Sequence, residues 1–378
     1  MTPLPLTRRL AGRLRRTRSA LAARSAVVAA AMAVTALFMT APAHAAADDG
    51  PAPVPAPVFT DGYGLTQVGT PAVHSSTDFT LTVTTPELSG QHKIRIFLPQ
   101  DYATQPGRRW PVLYFLHGGG GTVDDAAAAP ALHSDSMITV VPDGGLKGWY
   151  ADWVMQHTAM GAANWQTFHL DQVVPFVDAN LRTIGDRAHR AVAGLSMGGF
   201  GALHYGELRP DLFGHVASLS GGIDFGMPAV RGAVLATELN VTGAWCAVST
   251  STPSGTGQCT GYGPYIDSDA IFGSPYAVFD DHVWNQVDPA STTNLARLNG
   301  GDITLYTGNQ GPIDHFTEIA SSTVKNRLDQ LGIPSRYVDY GDGSSLSPTC
   351  DGGHDYGCWS AAFADYVPRL AASFAAAG

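Results

Sequence analysis

Ser196 stands in Gly194-Leu195-Ser196-Met197-Gly198-Gly199, directly after the apolar run Arg190-Ala191-Val192-Ala193. A serine hydroxyl is a weak nucleophile until a base takes its proton and the backbone lifts it clear of its neighbours. Glycines on both sides of the serine allow a strained strand-to-helix turn and close packing of strand on helix. The free N–H groups that open such a helix face a developing oxyanion. In a chain with 43 glycines the bare Gly-x-Ser-x-Gly spacing can arise by chance, so its position between an apolar strand and a helix carries the meaning.

A second glycine run, Leu116-His117-Gly118-Gly119-Gly120-Gly121, follows the apolar stretch Val112–Phe115. A backbone N–H placed there can face a tetrahedral intermediate. Gly119 is the expected donor, with the Met197 N–H as the second, and His117 is expected to be structural. The general base should follow the serine in the chain, which leaves His204, His215, His282, His315 and His354. His204 lies two turns along the helix after Ser196, and His215 begins a strand at the wrong end of a sheet. His354, in Asp351-Gly352-Gly353-His354 between the last strand and the last helix, is the expected base, with His315 next. The acid that holds the histidine tautomer should come just past Ile303–Tyr306, where Asp314 and Glu318 compete.

The elements that must hold these groups alternate along the chain. Apolar, β-rich runs occupy Phe79–Thr84, Lys93–Leu98, Val112–Leu116, Met137–Val141, Ala191–Gly194, Val216–Leu219, Ile303–Tyr306 and Arg336–Tyr340. The first two suit a hairpin across Pro86–Gln91. The central runs are short and continuously apolar, as strands buried on both faces are. Helical spacing appears in Leu170–Leu181, Gly199–Glu207, Ser322–Leu331 and Ser360–Phe374. Alternation of this kind predicts an α/β fold, with a mostly parallel central sheet and helices on both faces, over residues 60–378. Residues 222–301 break the rhythm just after a strand end, where ligands bind in open α/β sheets. That insertion reads either as a lid or acyl-pocket wall, or as a disulfide-pinned surface excursion.

Residues 1–45 hold seven arginines, no acid, an apolar run Ala26–Met39 and the small-residue close Ala43-His44-Ala45. They read as a secretory signal peptide, of general or twin-arginine type, followed by a Pro/Ala-rich linker over 46–59. The apolar run is shorter than the roughly 20 residues of a membrane span, so no stable membrane anchor is expected. Without the leader fifteen basic residues face thirty-two acidic ones, a net charge of −17. Such a chain repels nucleic acid and points to a neutral or apolar substrate. Cys246, Cys259, Cys350 and Cys358 suit two local disulfides, Cys246–Cys259 and Cys350–Cys358, in an exported protein. No cluster has metal-ligand spacing, and no cofactor or metal is expected.

The motifs together resemble the esterase D group of α/β-hydrolases, which includes the mycobacterial mycolyltransferases and related actinobacterial esterases. The likeness covers roughly residues 90–375. It rests on Gly148-Trp149-Tyr150-Ala151-Asp152-Trp153, Trp165-Gln166-Thr167-Phe168, Ser196-Met197-Gly198-Gly199, Leu219-Ser220-Gly221 and Thr307-Gly308-Asn309. It implies an α/β-hydrolase fold and ester chemistry through an acyl-enzyme. Substrate contacts would fall at Trp153, Trp165, Tyr356 and Trp359. The family's acid lies about eighteen residues before a glycine preceding the last strand, and counting back from Gly332 favours Asp314 over Glu318. The sequence departs from the family pattern: Gln166 replaces the usual glutamate, Tyr356 replaces the first tryptophan of a His-x-Trp-x-x-Trp run, Cys358 in that run is expected to pair with Cys350, and no arginine that could grip a sugar acceptor follows the oxyanion glycine. These departures lean away from mycolyl transfer. The resulting expectation is a secreted serine carboxylic-ester hydrolase. Its alternatives are an acyltransferase serving a sugar or glycerol hydroxyl, and a non-catalytic exported binding protein on the same fold.

Overall fold

The computed structural model describes residues 57–241, 261–276 and 278–378. The leader, most of the linker and the Cys246–Cys259 pairing lie outside the described residues. The described chain forms a ten-stranded sheet. Its strands are β1 (Thr66–Gln67), β2 (Ala72–Ser75), β3 (Asp78–Thr85), β4 (Leu88–Phe97), β5 (Val112–Leu116), β6 (Ile138–Pro142), β7 (Arg190–Leu195), β8 (His215–Leu219), β9 (Asp302–Gly308) and β10 (Ser335–Gly341). The order is β1-β3-β4-β6-β5-β7-β8-β9-β10, with β2 beside β3. From β6 to β10 all neighbours are parallel. The strands β1 to β4 pair antiparallel, and β4 joins them antiparallel to β6. The β3–β4 hairpin is tighter than the Pro86–Gln91 connection expected from sequence, since Thr85 already pairs with Leu88.

Every residue of β5, β6, β7 and β8 is buried, which explains why these strands read as continuous apolar runs. The pleat divides them between two cores. Val112, Tyr114 and Leu116 of β5 join one apolar layer, while Leu113 and Phe115 join the other.

The helical segment after β6 opens as Trp165–Thr167, widens to a π-helical turn over Phe168–Val173, and continues as α1 (Val174–Asn180). Then come α2 (Met197–Leu208), α3 (Pro228–Glu238), α4 (His282–Val287), α5 (Thr292–Leu295), α6 (Gly311–Gln330) and α7 (Tyr356–Ala377). The described residues of the insertion 222–301 do not all lie at the surface. The insertion carries α3, α4 and α5, and its Phe225 and Phe272 rings pack on Phe200 of α2 at 4.9 and 5.8 Å, with Trp284 behind them.

Candidate active site

Ser196 sits between the last residue of β7 and the first of α2 with φ 54° and ψ −120°. A non-glycine residue there stores backbone strain of order 1–3 kcal/mol. The turn closes only because Gly198 lacks a side chain: a Cβ there would collide with the Leu116 carbonyl oxygen. The Ser196 N–H donates to the Leu219 carbonyl (2.9 Å), which ties the turn to β8.

His354 Nε2 lies 2.8 Å from Ser196 Oγ, and His354 Nδ1 lies 3.0 Å from Asp314 Oδ1. The three follow the carboxyl ends of β7, β10 and β9, the edge where α/β sheets gather their ligands. Asp314 is wholly buried, and the His354 side chain is 10% exposed. Nδ1–H donating to Asp314 leaves the Nε2 lone pair to accept the Ser196 O–H. Asp314 lies on the first turn of α6 rather than in a loop, because Gly311-Pro312 starts that helix early. Sequence reading missed a supporting residue: buried Thr317, one turn on, donates its hydroxyl to Asp314 Oδ1 (2.9 Å). The signal was a hydroxyl three residues after Asp314 on one helix face. His354 takes Asp314 and not Glu318 as its partner.

The other histidines stand apart from this group. His204 is buried beside Gln166, with Nε2 3.2 Å from Oε1, and burial brings its pKa down to about 4. His215 meets Asp302 at 3.2 Å, His282 meets Asp280 at 2.8 Å, and His315 is exposed.

The loop that carries His354 is fastened twice. Asn309 and Gln310 donate their N–H groups to the carbonyls of Gly341 and Gly352 (3.1 and 3.0 Å), which stitches the segment before Asp314 to the segment that leads to His354. Cys350 and Cys358 form the local disulfide expected from sequence, and the Asp355 side chain caps α7 by accepting from Gly357 and Cys358 N–H. With a sequence separation of 8, the closed loop corresponds to about 2.5 kcal/mol of chain entropy. Replacing both cysteines with serine should lower unfolding free energy by about that amount in urea titrations. An unchanged midpoint would show that the disulfide adds nothing. Trp359 meets the His354 ring edge-on at 4.8 Å, and Tyr356 meets Trp359 at 5.2 Å.

The Gly118–Gly121 run lies against Ser196. A Cβ on Gly118 would stand 3.4 Å from Ser196 Cβ, and one on Gly119 would stand 3.8 Å from Met197 Sδ. The insertion reaches this run, since a Cβ on Gly119 would be 3.3 Å from Tyr262 Cε1. Tyr262 is held by its N–H on Asn240 Oδ1 (2.7 Å). Beneath it, Lys147 Nζ donates to the carbonyls of Glu238 and Pro264 (3.2 and 2.6 Å), and Glu238 Oε1 accepts from Ile271 N–H (3.1 Å). Burial pushes the Glu238 carboxyl up to about 8 and brings the Lys147 amine down to about 8.

A carboxyl whose folded pKa is raised contributes stability below its unfolded value, near 4.5, and loses it as pH climbs toward 8. Lys147, with a lowered pKa, acts in the opposite sense and only between about 8 and 10.5. Between pH 5 and 7.5, therefore, Glu238→Gln should gain on the wild type by up to about 1.4 kcal/mol per pH unit. Denaturant unfolding at both pH values checks this, and parallel curves would contradict it.

The expected substrate residues fall into two pairs. Trp153 and Trp165 line a mostly apolar cavity of about 280 Å³ with Leu146, Met160, Lys147 and Thr122. Tyr356 and Trp359 flank His354 instead, and the cavity lining includes neither Ser196 nor His354. Among the described residues, Asp351, Asp355 and Cys358 come close enough to share an ion. Cys358 is tied up in the disulfide and Asp355 caps α7, so the set does not suit a metal.

A family model described as putative esterase matches residues 85–370. Esterase Rv1288 of Mycobacterium tuberculosis is 44% identical over 132 residues, 34% of this chain and 28% of that protein, so the match spans under a third of that relative's length. Diacylglycerol acyltransferase/mycolyltransferase Ag85A of Mycobacterium leprae is 24% identical over 262 residues, 66% of this chain and 67% of that one. The crystal structure of Mycobacterium tuberculosis MPT51 has a TM-score of 0.58 at 17% identity, covering 78% of this chain and 97% of its own. An S-formylglutathione hydrolase from Agrobacterium tumefaciens has a TM-score of 0.55 at 12% identity, covering 84% and 98%. At such identities the two structures establish the fold alone.

Proposed function

The chain belongs to the putative-esterase family, in the α/β-hydrolase group that includes mycolyltransferases; from that premise we propose that it acts on esters, as an exported carboxylic-ester hydrolase that works through an acyl-enzyme on Ser196. The observation that carries the proposal is the relay from Asp314 Oδ1 through His354 to Ser196 Oγ, with links of 3.0 and 2.8 Å.

In the proposed cycle His354 Nε2 takes the Ser196 proton as Oγ attacks the ester carbonyl. Asp314 stabilises the imidazolium that results. The N–H groups of Gly119 and Met197 hold the oxyanion. His354 then gives its proton to the departing alcohol, and the same ring activates water to release the acid and restore Ser196. The apolar cavity beside Trp153 and Trp165 suits an apolar acyl or alcohol portion. The acidic mature chain suits an uncharged one. Export rests on the arginine-rich leader and the Cys350–Cys358 disulfide. Among the described residues no helix is long and apolar enough to cross a membrane.

One observation favours a second reading, acyl transfer to a sugar or glycerol hydroxyl. His354 is only 10% exposed and walled by Trp359, and such limited access for water helps a transferase. The test is the partition of p-nitrophenyl esters of graded chain length in the presence of glycerol or trehalose. Free acid should be the main product. Transfer product prevailing in excess water would overturn hydrolysis, and no turnover of any ester would overturn the enzyme.

A further inference from the structure

We propose that His117 is a positioning residue for the oxyanion hole: its ring grips the carbonyl of the peptide whose N–H, that of Gly119, faces the reacting oxygen. The inference rests on the acyl-enzyme reading above and adds a role to a histidine which that cycle does not use.

The ring is completely buried, and both its nitrogens are engaged. The Gly144 N–H donates to Nε2 at 2.8 Å. A backbone N–H can only donate, so Nε2 is the acceptor and the proton of the neutral ring sits on Nδ1. Asp143 Oδ1 stands 3.7 Å from Nε2, beyond hydrogen-bond reach. Nδ1–H therefore donates to the Gly118 carbonyl oxygen, 2.9 Å away. The same oxygen accepts the Gly121 N–H at 3.1 Å.

The Gly118 carbonyl and the Gly119 N–H belong to one planar trans peptide and point in opposite directions across it. Fixing the oxygen from one side thus fixes the N–H on the other. The peptide lies against the nucleophile, as the 3.4 Å approach of a Gly118 Cβ to Ser196 Cβ indicates. Glycines are conformationally permissive, and four in succession would otherwise let this plane rotate. The histidine's own backbone is held as well, because Tyr150 Oη donates to the His117 carbonyl at 2.8 Å. An oxyanion donor works only when it is oriented before the charge develops.

The geometry gives a graded test. In His117→Asn the side-chain amide nitrogen falls near the place of Nδ1 and can still donate to Gly118 O. His117→Leu fills much of the space and donates nothing. With p-nitrophenyl butyrate, H117L should lose about 30-fold in kcat with KM within about threefold, somewhat less than the 10²–10³-fold typical of deleting a donor outright. Its affinity for an aryl trifluoromethyl ketone, whose adduct carries an oxyanion, should fall by the same factor. H117N should stay within about fivefold of wild type on both measures. If H117L does not fold, His117→Gln, whose longer side chain puts its amide near the place of Nε2, serves in its stead. Equal losses in H117N and the donor-free variant, or unchanged ketone affinity, would overturn the positioning role. Failure of wild type to react at Ser196 would instead overturn the acyl-enzyme reading itself, so the two failures are distinguishable.

Discussion

Ser196→Ala should lower kcat for ester hydrolysis by about 10⁵- to 10⁶-fold while the protein keeps its fold. The size follows from removing the atom proposed to carry the acyl group, and losses of this order are typical of serine nucleophiles. Some rate above water should remain, since the proposed oxyanion donors, the N–H groups of Gly119 and Met197, are backbone groups. The same position also stores strain, with φ at 54° on a residue that is not glycine. Ser196→Gly should therefore be equally inactive and about 1 kcal/mol more stable than Ser196→Ala. Steady-state kinetics and thermal melts of the two variants check both statements. If S196A keeps a kcat within tenfold of wild type, the serine is not the nucleophile. If S196G is the less stable of the two, the strain is not there.

Asp314→Asn should lower kcat by about 10⁴-fold, and Glu318→Gln should change it by less than about threefold. In wild type Asp314 Oδ1 accepts the His354 Nδ1 proton at 3.0 Å. An asparagine at that position can turn its NH₂ toward Nδ1, which moves the ring proton to Nε2, where it faces Ser196 and blocks the base. The backbone and the burial stay as they were, so the melting temperature should move little. KM should also change little, because the loss falls on proton transfer and not on substrate contact. A large loss in E318Q with a small one in D314N would reassign the acid.

Much of this was legible in the sequence because the central strands are buried on both faces. An apolar run that leads into glycines, as Val112–Leu116 and Ala191–Gly194 do, has few other ways to fold. The edge strands were not legible. Ala72–Ser75 is exposed throughout, and Thr66–Gln67 is only two residues long, so neither carries an apolar pattern. The start of α6 carries no clean apolar stripe. Its buried first turns mix Asp314, Thr317 and Ser321 with Ile313 and Ala320, and the apolar period becomes readable only further on. In the insertion, α3 buries Thr237 and Glu238 beside Val230 and Val234, and α4 buries only Trp284 in six residues. Neither stripe is long or apolar enough to read. The candidate relay was legible from glycine placement and chain order, with Asp314 separated from Glu318 by family spacing. His117 was read as structural, and only the hydrogen bonds on both ring nitrogens reveal what it holds.

Trapping the covalent intermediate tests the proposed role of Ser196 most directly. The folded protein is treated with a fluorophosphonate, digested and mapped by mass spectrometry, with S196A in parallel. One adduct per chain is expected, carried on the peptide with Ser196, and none in S196A. An adduct on another residue, equal labelling of S196A, or no labelling of folded wild type would contradict that role.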